Sequence, residues 1–227
     1  MNERRRSVSC RPLALAALLA TAGCSEAPQV ATDRLLVVDG IEFTLADIEP
    51  YAAFLRSFVP ETGTKTIVRI VLEEYLLPLR LAQRAFPDQR RDALARAQGL
   101  CDVATNATEL DQQSRLMQAR QRSNMSRRRP QLPVAMFLFD PLQVGAVSQP
   151  IEVPVGYVVA TAFELHESAL KIDDYVESLQ VPFVTHDAAG WEAWLTAEKA
   201  RVATRVTHVH PDYREAMPGW LQLPKLP

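Results

Sequence analysis

Proline placement limits regular structure in this chain more than any other feature. Sixteen prolines are scattered over 227 residues, and the longest stretch without one runs between Pro87 and Pro130. Proline removes a backbone donor and clashes with the preceding turn, so this stretch is the longest uninterrupted window for helix. Glycine is scarce, and the closest pair, Gly145 and Gly156, is too far apart for a nucleotide-binding loop. Such loops need glycines within about five positions, which excludes dinucleotide and P-loop chemistry. The apolar fraction of 48% and charged fraction of 23% suit a folded domain with its own core. The formal charge of −2 gives no general attraction to nucleic acid.

Residues 1–23 read as an export signal. Arg4, Arg5, Arg6 and Arg11 precede an apolar run, LALAALLATA, at residues 13–22. A run of about ten residues spans roughly 15 Å as a helix, half a bilayer core, so it is a signal and not a membrane span. Thr21-Ala22-Gly23-Cys24 resembles a bacterial lipobox, with Thr21 in place of the usual leucine. The resemblance implies that Cys24 is acylated and becomes the mature N-terminus. Ser25 after it implies the periplasmic face of the outer membrane. Residues 24–34 form a tether. Removal of the signal leaves a more acidic chain with Cys101 as its one unmodified cysteine, so no internal disulfide can form.

Along the mature chain, Asp39-Gly40 between apolar runs predicts a hairpin with a type I′ turn. Thr44 with Asp47 predicts a capped helix. Residues 65–86 predict the most apolar helix, bent at Pro78. Asp88 is expected to cap a helix with Ala93, Ala97, Leu100 and Cys101 on its inner stripe, and Thr108 to cap another running to about Ser123. The Arg- and Pro-rich residues 124–133 read as a linker. Residues 134–139 predict a short strand or helical turn, Val155 to Phe163 a strand, 169–180 and 188–203 helices with Trp191 and Trp194 buried, and 205–210 a strand. The tail from Pro211 to Pro227 reads as irregular.

The stretch LQVGAVSQPIEVPVGYVVA at 142–160 resembles the end of a parvulin-type peptidyl-prolyl isomerase domain, through Leu142, Gly145, Val147, Ser148, Pro150, Ile151 and Gly156-Tyr157. Residues 36–55 and 190–210 resemble the opening and closing segments of SurA- and PrsA-like chaperones. The resemblance implies an α+β fold, mostly α. A helical chaperone-like domain is built from both chain ends, 35–125 and 169–210, around a reduced parvulin-like module at 126–168. Residues 211–227 remain as a Pro-rich tail. It further implies an apolar floor of Met136, Phe137, Phe139 and Tyr157 for client side chains, although Met136, Phe137 and Phe139 also suit plain core. The family's Ser-His strand finds no counterpart between Phe86 and Ala95, and Val158 replaces a second histidine. No catalytic residue, metal or cofactor is therefore assigned; His208 and His210 would share a strand face with no third ligand marked nearby, though His186 or Asp212 could contribute.

The expected partners are unfolded or nascent envelope polypeptides and the membrane through the lipid anchor, with no nucleic acid. A working isomerase with a divergent site and an accessory lipoprotein for one dedicated partner are the alternatives. Residues 112–139 hold six arginines (Arg115, Arg120, Arg122, Arg127, Arg128, Arg129) and no acid. They form either a solvated helix end and linker or a surface for anionic groups. Replacing Cys24 with Ala should move the protein out of the membrane fraction or leave it unprocessed. Mass spectrometry of the wild-type N-terminal peptide should show acyl chains on Cys24, since stable anchoring needs more than one.

Overall fold

The computed structural model describes residues 33–119, 121–128 and 131–225. Cys24, the export signal and most of the tether lie outside the described residues. Strand β1 (Arg34–Val38) turns through Asp39 and Gly40, both at positive φ (50° and 77°), into β2 (Ile41–Thr44). Two successive positive φ values define the type I′ turn whose twist matches a hairpin. Thr44 then caps α1 (Leu45–Phe58): its hydroxyl accepts from the Asp47 N–H, and the Asp47 carboxylate accepts from the Thr44 N–H at 2.8 Å. Ile48, Ala52, Leu55 and Phe58 form the buried stripe, and Pro50 is tolerated inside the helix.

A second long helical run comprises α2 (Thr64–Val71), a π-helical turn (Leu72–Leu76) and α3 (Leu77–Ala85). Pro78 explains the interruption. It offers no N–H to the preceding turn, and the Leu77 N–H bonds to Leu72 O, one residue further back than in an α-helix. Helix α4 (Pro87–Val103) opens on Pro87, with Phe86 and not Asp88 at its cap; its inner stripe is Arg90, Ala93, Ala97 and Leu100. Helix α5 (Ala107–Leu116) is capped by Asn106 and not Thr108.

The chain departs most from sequence expectation after α5. Residues read as helix end and linker form β3 (Gln121–Ser126), followed by α6 (Leu132–Leu138), which settles 134–139 as helix. β4 (Ile151–Val153) and β5 (Gly156–His166) form a hairpin. Gly156 is required there: at φ +145° a side chain would meet Phe183 O at 2.1 Å. Residues expected to be helical at 169–180 instead enter β6 (Tyr175–Val184), a central strand of the sheet β3-β6-β5-β4. Pro182 is accommodated because β3 pairs with β6 only as far as Gln180, so beyond it β6 has a neighbour on one side alone.

Helix α7 (Ala188–Val202), capped by Asp187, leads to β7 (Val206–Val209), which pairs with β1 in the three-stranded sheet β2-β1-β7. Trp191 and Trp194 are half-buried and not core, with Trp194 edge-on to Phe86. The tail begins with a 3₁₀ turn (Pro211–Ala216) and packs Ala216, Met217 and Leu221 into the core shared by α1, α2 and α3. The fold is α+β and mostly α. No helix among the described residues is long and apolar enough to cross a membrane.

The hairpin turn is tied to the far end of the chain by charge. The Asp39 carboxylate accepts from Arg201 at 2.8 Å, from Arg205 at 3.0 Å, and from Arg84. These bonds, the Arg201 and Arg205 contributions foremost, hold the Asp39 carboxyl far below the usual carboxylate range. A depressed carboxyl stabilises the fold above its unfolded value near 3.9 and loses that contribution as pH falls. Asn tolerates the same positive φ without the charge. Asp39→Asn should therefore lower stability at pH 7 by about 1 kcal/mol, the partners being half-exposed. Urea midpoints should show the gap to wild type closing as pH drops below about 4.

Candidate functional site

The π-helical turn contributes to the lining of a half-open groove. By adding a residue to the turn before Pro78, it sets Tyr75 into the core and leaves Glu74 at the surface. Tyr75 lies against Tyr51 with ring centres 5.0 Å apart, and its hydroxyl donates to Glu152 O at 3.2 Å. Between α1, α2 and the segment entering α6 lies this groove, of about 480 Å³. Its floor is Leu55, Phe58, Ile67, Ile70, Tyr75 and Leu132. Glu74 and Arg128, both exposed, also line it. Partial burial, with Glu73 alongside, pushes the Glu74 carboxyl above its usual range.

Arg127 closes the inner end of this groove. It is buried and pairs with buried Asp174 through Nη2 at 2.8 Å and Nε at 3.1 Å. Its guanidinium lies 4.8 Å from the Phe139 ring centre and 5.6 Å from that of Phe58. Burial disfavours charge on Asp174, but the Ser168 N–H at 2.7 Å and Arg127 outweigh it and hold the carboxyl below its ordinary value. The arginine-rich stretch is thus partly consumed by the fold. Arg115 pairs with Asp111, Arg122 with Glu177 and Arg127 with Asp174. Arg120 and Arg129 lie outside the described residues.

The four residues expected to share a substrate floor are not gathered into one pocket. Phe139 is core, 4% exposed, and carries the Arg127 guanidinium. Met136 and Phe137 are half-buried and line a shallow depression with Val147, Ser148, Pro150 and Ile151. These α6 residues pack on the sheet face formed by Val158, Ala160 and Ala162. Tyr157 belongs to the other face, with Val159 and the α4 stripe. Alternation along β5 puts neighbouring residues on opposite faces, so Tyr157 cannot join the α6 set.

Tyr157 instead belongs to a polar junction. The Glu152 carboxylate accepts from Arg90 at 2.9 Å, Gln83 at 3.0 Å and the Tyr157 hydroxyl at 3.3 Å. Arg90 also donates to Pro154 O and Val153 O. Burial, reinforced by Glu152, pushes the Tyr157 hydroxyl upward, so it stays protonated and acts as a donor. This junction fastens α3 and α4 to the β4–β5 turn.

The remaining sequence candidates have local roles. Burial and the neighbouring Asp102 raise the Cys101 thiol, which faces Ser148 O at 3.4 Å, a setting for an inert thiol. His166 stacks on Tyr175, His186 packs on Phe86, His208 bonds to Arg34 O and His210 caps the following turn. Among the described residues no group of three or more His, Cys, Asp or Glu is placed to hold a metal ion. The groove escaped sequence analysis because its floor reads as ordinary helix core. Its one sequence signal is a proline three positions after Tyr75 in the most apolar helix.

No family model, curated protein or solved structure matches this chain.

The Arg127–Asp174 pair yields a direct test. Removing one partner strands a buried charge, so Asp174→Asn and Arg127→Met should each cost about 3–5 kcal/mol. The double variant Arg127→Met/Asp174→Asn should cost less than the sum of the two by about 1–3 kcal/mol, measured by urea denaturation.

Proposed function

We propose that this chain is an exported, chaperone-like lipoprotein that holds apolar segments of unfolded polypeptides. In this reading it has parvulin-family ancestry and little or no isomerase activity. The observation that carries the reading is the half-open groove on Leu55, Phe58, Ile67 and Ile70, with an apolar floor and charged residues in its lining. Such a site suits apolar side chains, and the polar residues that line it include no histidine or cysteine. The ordered resemblance of 36–55, 142–160 and 190–210 to SurA- and PrsA-like proteins supports the same class. Pairing of β1 with β7 agrees with an arrangement in which both chain ends build one layer.

Prolyl isomerisation needs no nucleophile, only a pocket that favours the twisted amide over a barrier of ~18–20 kcal/mol. The α6 set and Tyr157 stand on opposite faces of the sheet and cannot form that pocket together. The reading therefore separates binding from catalysis. The protein should suppress aggregation of a reduced, unfolded substrate while leaving a prolyl-limited refolding step at its spontaneous rate. Ile70→Ser, at a half-buried position, should weaken aggregation suppression several-fold with little change in melting temperature. Strong acceleration of the prolyl-limited step would favour the working isomerase. Inactivity in both assays would favour an accessory protein with one dedicated partner.

A further inference from the structure

The groove does not stop at its rim. Arg127 and Arg128, which form part of its wall, are the direct continuation of β3. β3 pairs with β6 along its whole length without a bulge, and its other side has no strand partner among the described residues. In an antiparallel pair, alternate residues turn their N–H and C=O away from the partner, so β3 directs a row of main-chain groups away from β6 that no strand among the described residues pairs with. Native edges are commonly blunted by lysine, proline or a bulge. β3, with the sequence QRSNMS, has none of these. Its one charge, Arg122, is engaged by Glu177 and lies 4.5 Å from the Phe163 ring centre. Just before the strand, Leu116 and Met117 are 77% and 45% exposed.

We infer that the open edge of β3 is a strand-addition site for an extended segment of unfolded polypeptide. The segment pairs with β3 through its main chain over about 20 Å and places one apolar side chain in the groove. This rests on the proposed function and extends it. Main-chain pairing makes recognition tolerant of sequence, while the groove selects an apolar anchor. Ser123 and Asn124 at the centre of β3 are small and leave room for side chains on both faces. The occupant must lack proline where its amides face β3. Continuity with the groove favours a client over a second copy of β3, whose flanking folded chain would leave the groove unfilled.

The test uses the full-length protein and a fluorescein-labelled decapeptide of alternating Val and Thr, with one Phe near its end to set the register. Two derivatives carry backbone N-methyl groups on complementary sets of alternate residues. Strand addition predicts that one derivative loses affinity by at least about tenfold, because several hydrogen bonds vanish together. The other should bind within about twofold of the parent. Failure of the parent to bind, or equal binding of both derivatives, overturns the edge assignment. If Ile70→Ser abolishes binding while methylation has no effect, the groove reading stands and the edge falls. If Ile70→Ser has no effect while one methylated set fails to bind, the edge stands and the groove reading falls. A dimer of the protein alone that dissociates on Asn124→Lys would give the edge to a second copy and overturn the client assignment.

Discussion

Arg127 and Asp174 are 7% and 1% exposed, and each would cost several kcal/mol to bury alone. Their attraction offsets that cost only because the remaining donors and acceptors are also used. Asp174 takes the Ser168 N–H, and the guanidinium lies against Phe58 and Phe139. Four parts of the fold therefore meet at one charge: the end of β3, the approach to β6, the end of α1 and the end of α6. Phe58 belongs to the core of the chain ends and Phe139 to the core under α6. A hydrophobic contact could join the same elements, but it would slide. Two guanidinium N–H groups converging on Asp174 Oδ2, with Oδ1 held by Ser168, fix direction as well as distance, and with them the course of the chain just after β3.

The Glu152 junction does the same work on the other side of the sheet. Arg90 and Gln83 reach it from α4 and α3, and the Tyr75 hydroxyl reaches the backbone of the same residue. Tyr75 sits in the π-helical turn that Pro78 imposes, so the groove floor and the β4–β5 hairpin are positioned by one side chain. A platform pinned at two points on opposite faces holds its concavity open without a ligand. Preorganisation of this kind reduces the ordering cost on binding.

Local signals were legible, and signals set by distant partners were not. Asp39-Gly40 and Thr44-Asp47 specify a turn and a cap within a few residues, and both form as written. Val206 to Val209 alternates and pairs as a strand. β3 carries no apolar alternation at all. Its extended state is imposed by β6, whose Glu177 and Val176 meet Asn124 and Met125 across the ladder. β6 was hidden because polar Glu177 and Gln180 interrupt its apolar residues and Pro182 argues against a central strand. Only the short reach of β3 explains why proline is allowed. The residues expected to form a substrate floor are divided for a related reason: Met136 and Tyr157 come from neighbouring stretches, but the sheet lies between them.

Magnitudes favour a binder that releases what it holds. Filling the groove with one aliphatic or aromatic side chain contributes roughly 1.5–3 kcal/mol, whereas a dissociation constant of about 1 mM already requires about 4 kcal/mol. The groove alone thus retains nothing for long. Under the proposed function, a client would be held only when several weak contacts act along one extended segment, and would leave when folding withdraws any of them. Attachment at Cys24 in the proposed lipoprotein would add a further factor without any new contact. It would confine the groove to the layer next to the membrane and raise its effective concentration toward clients emerging there. Weak subsites and a fixed location would be compatible under the proposed function, because a tightly binding groove at high local concentration would trap the chains it holds.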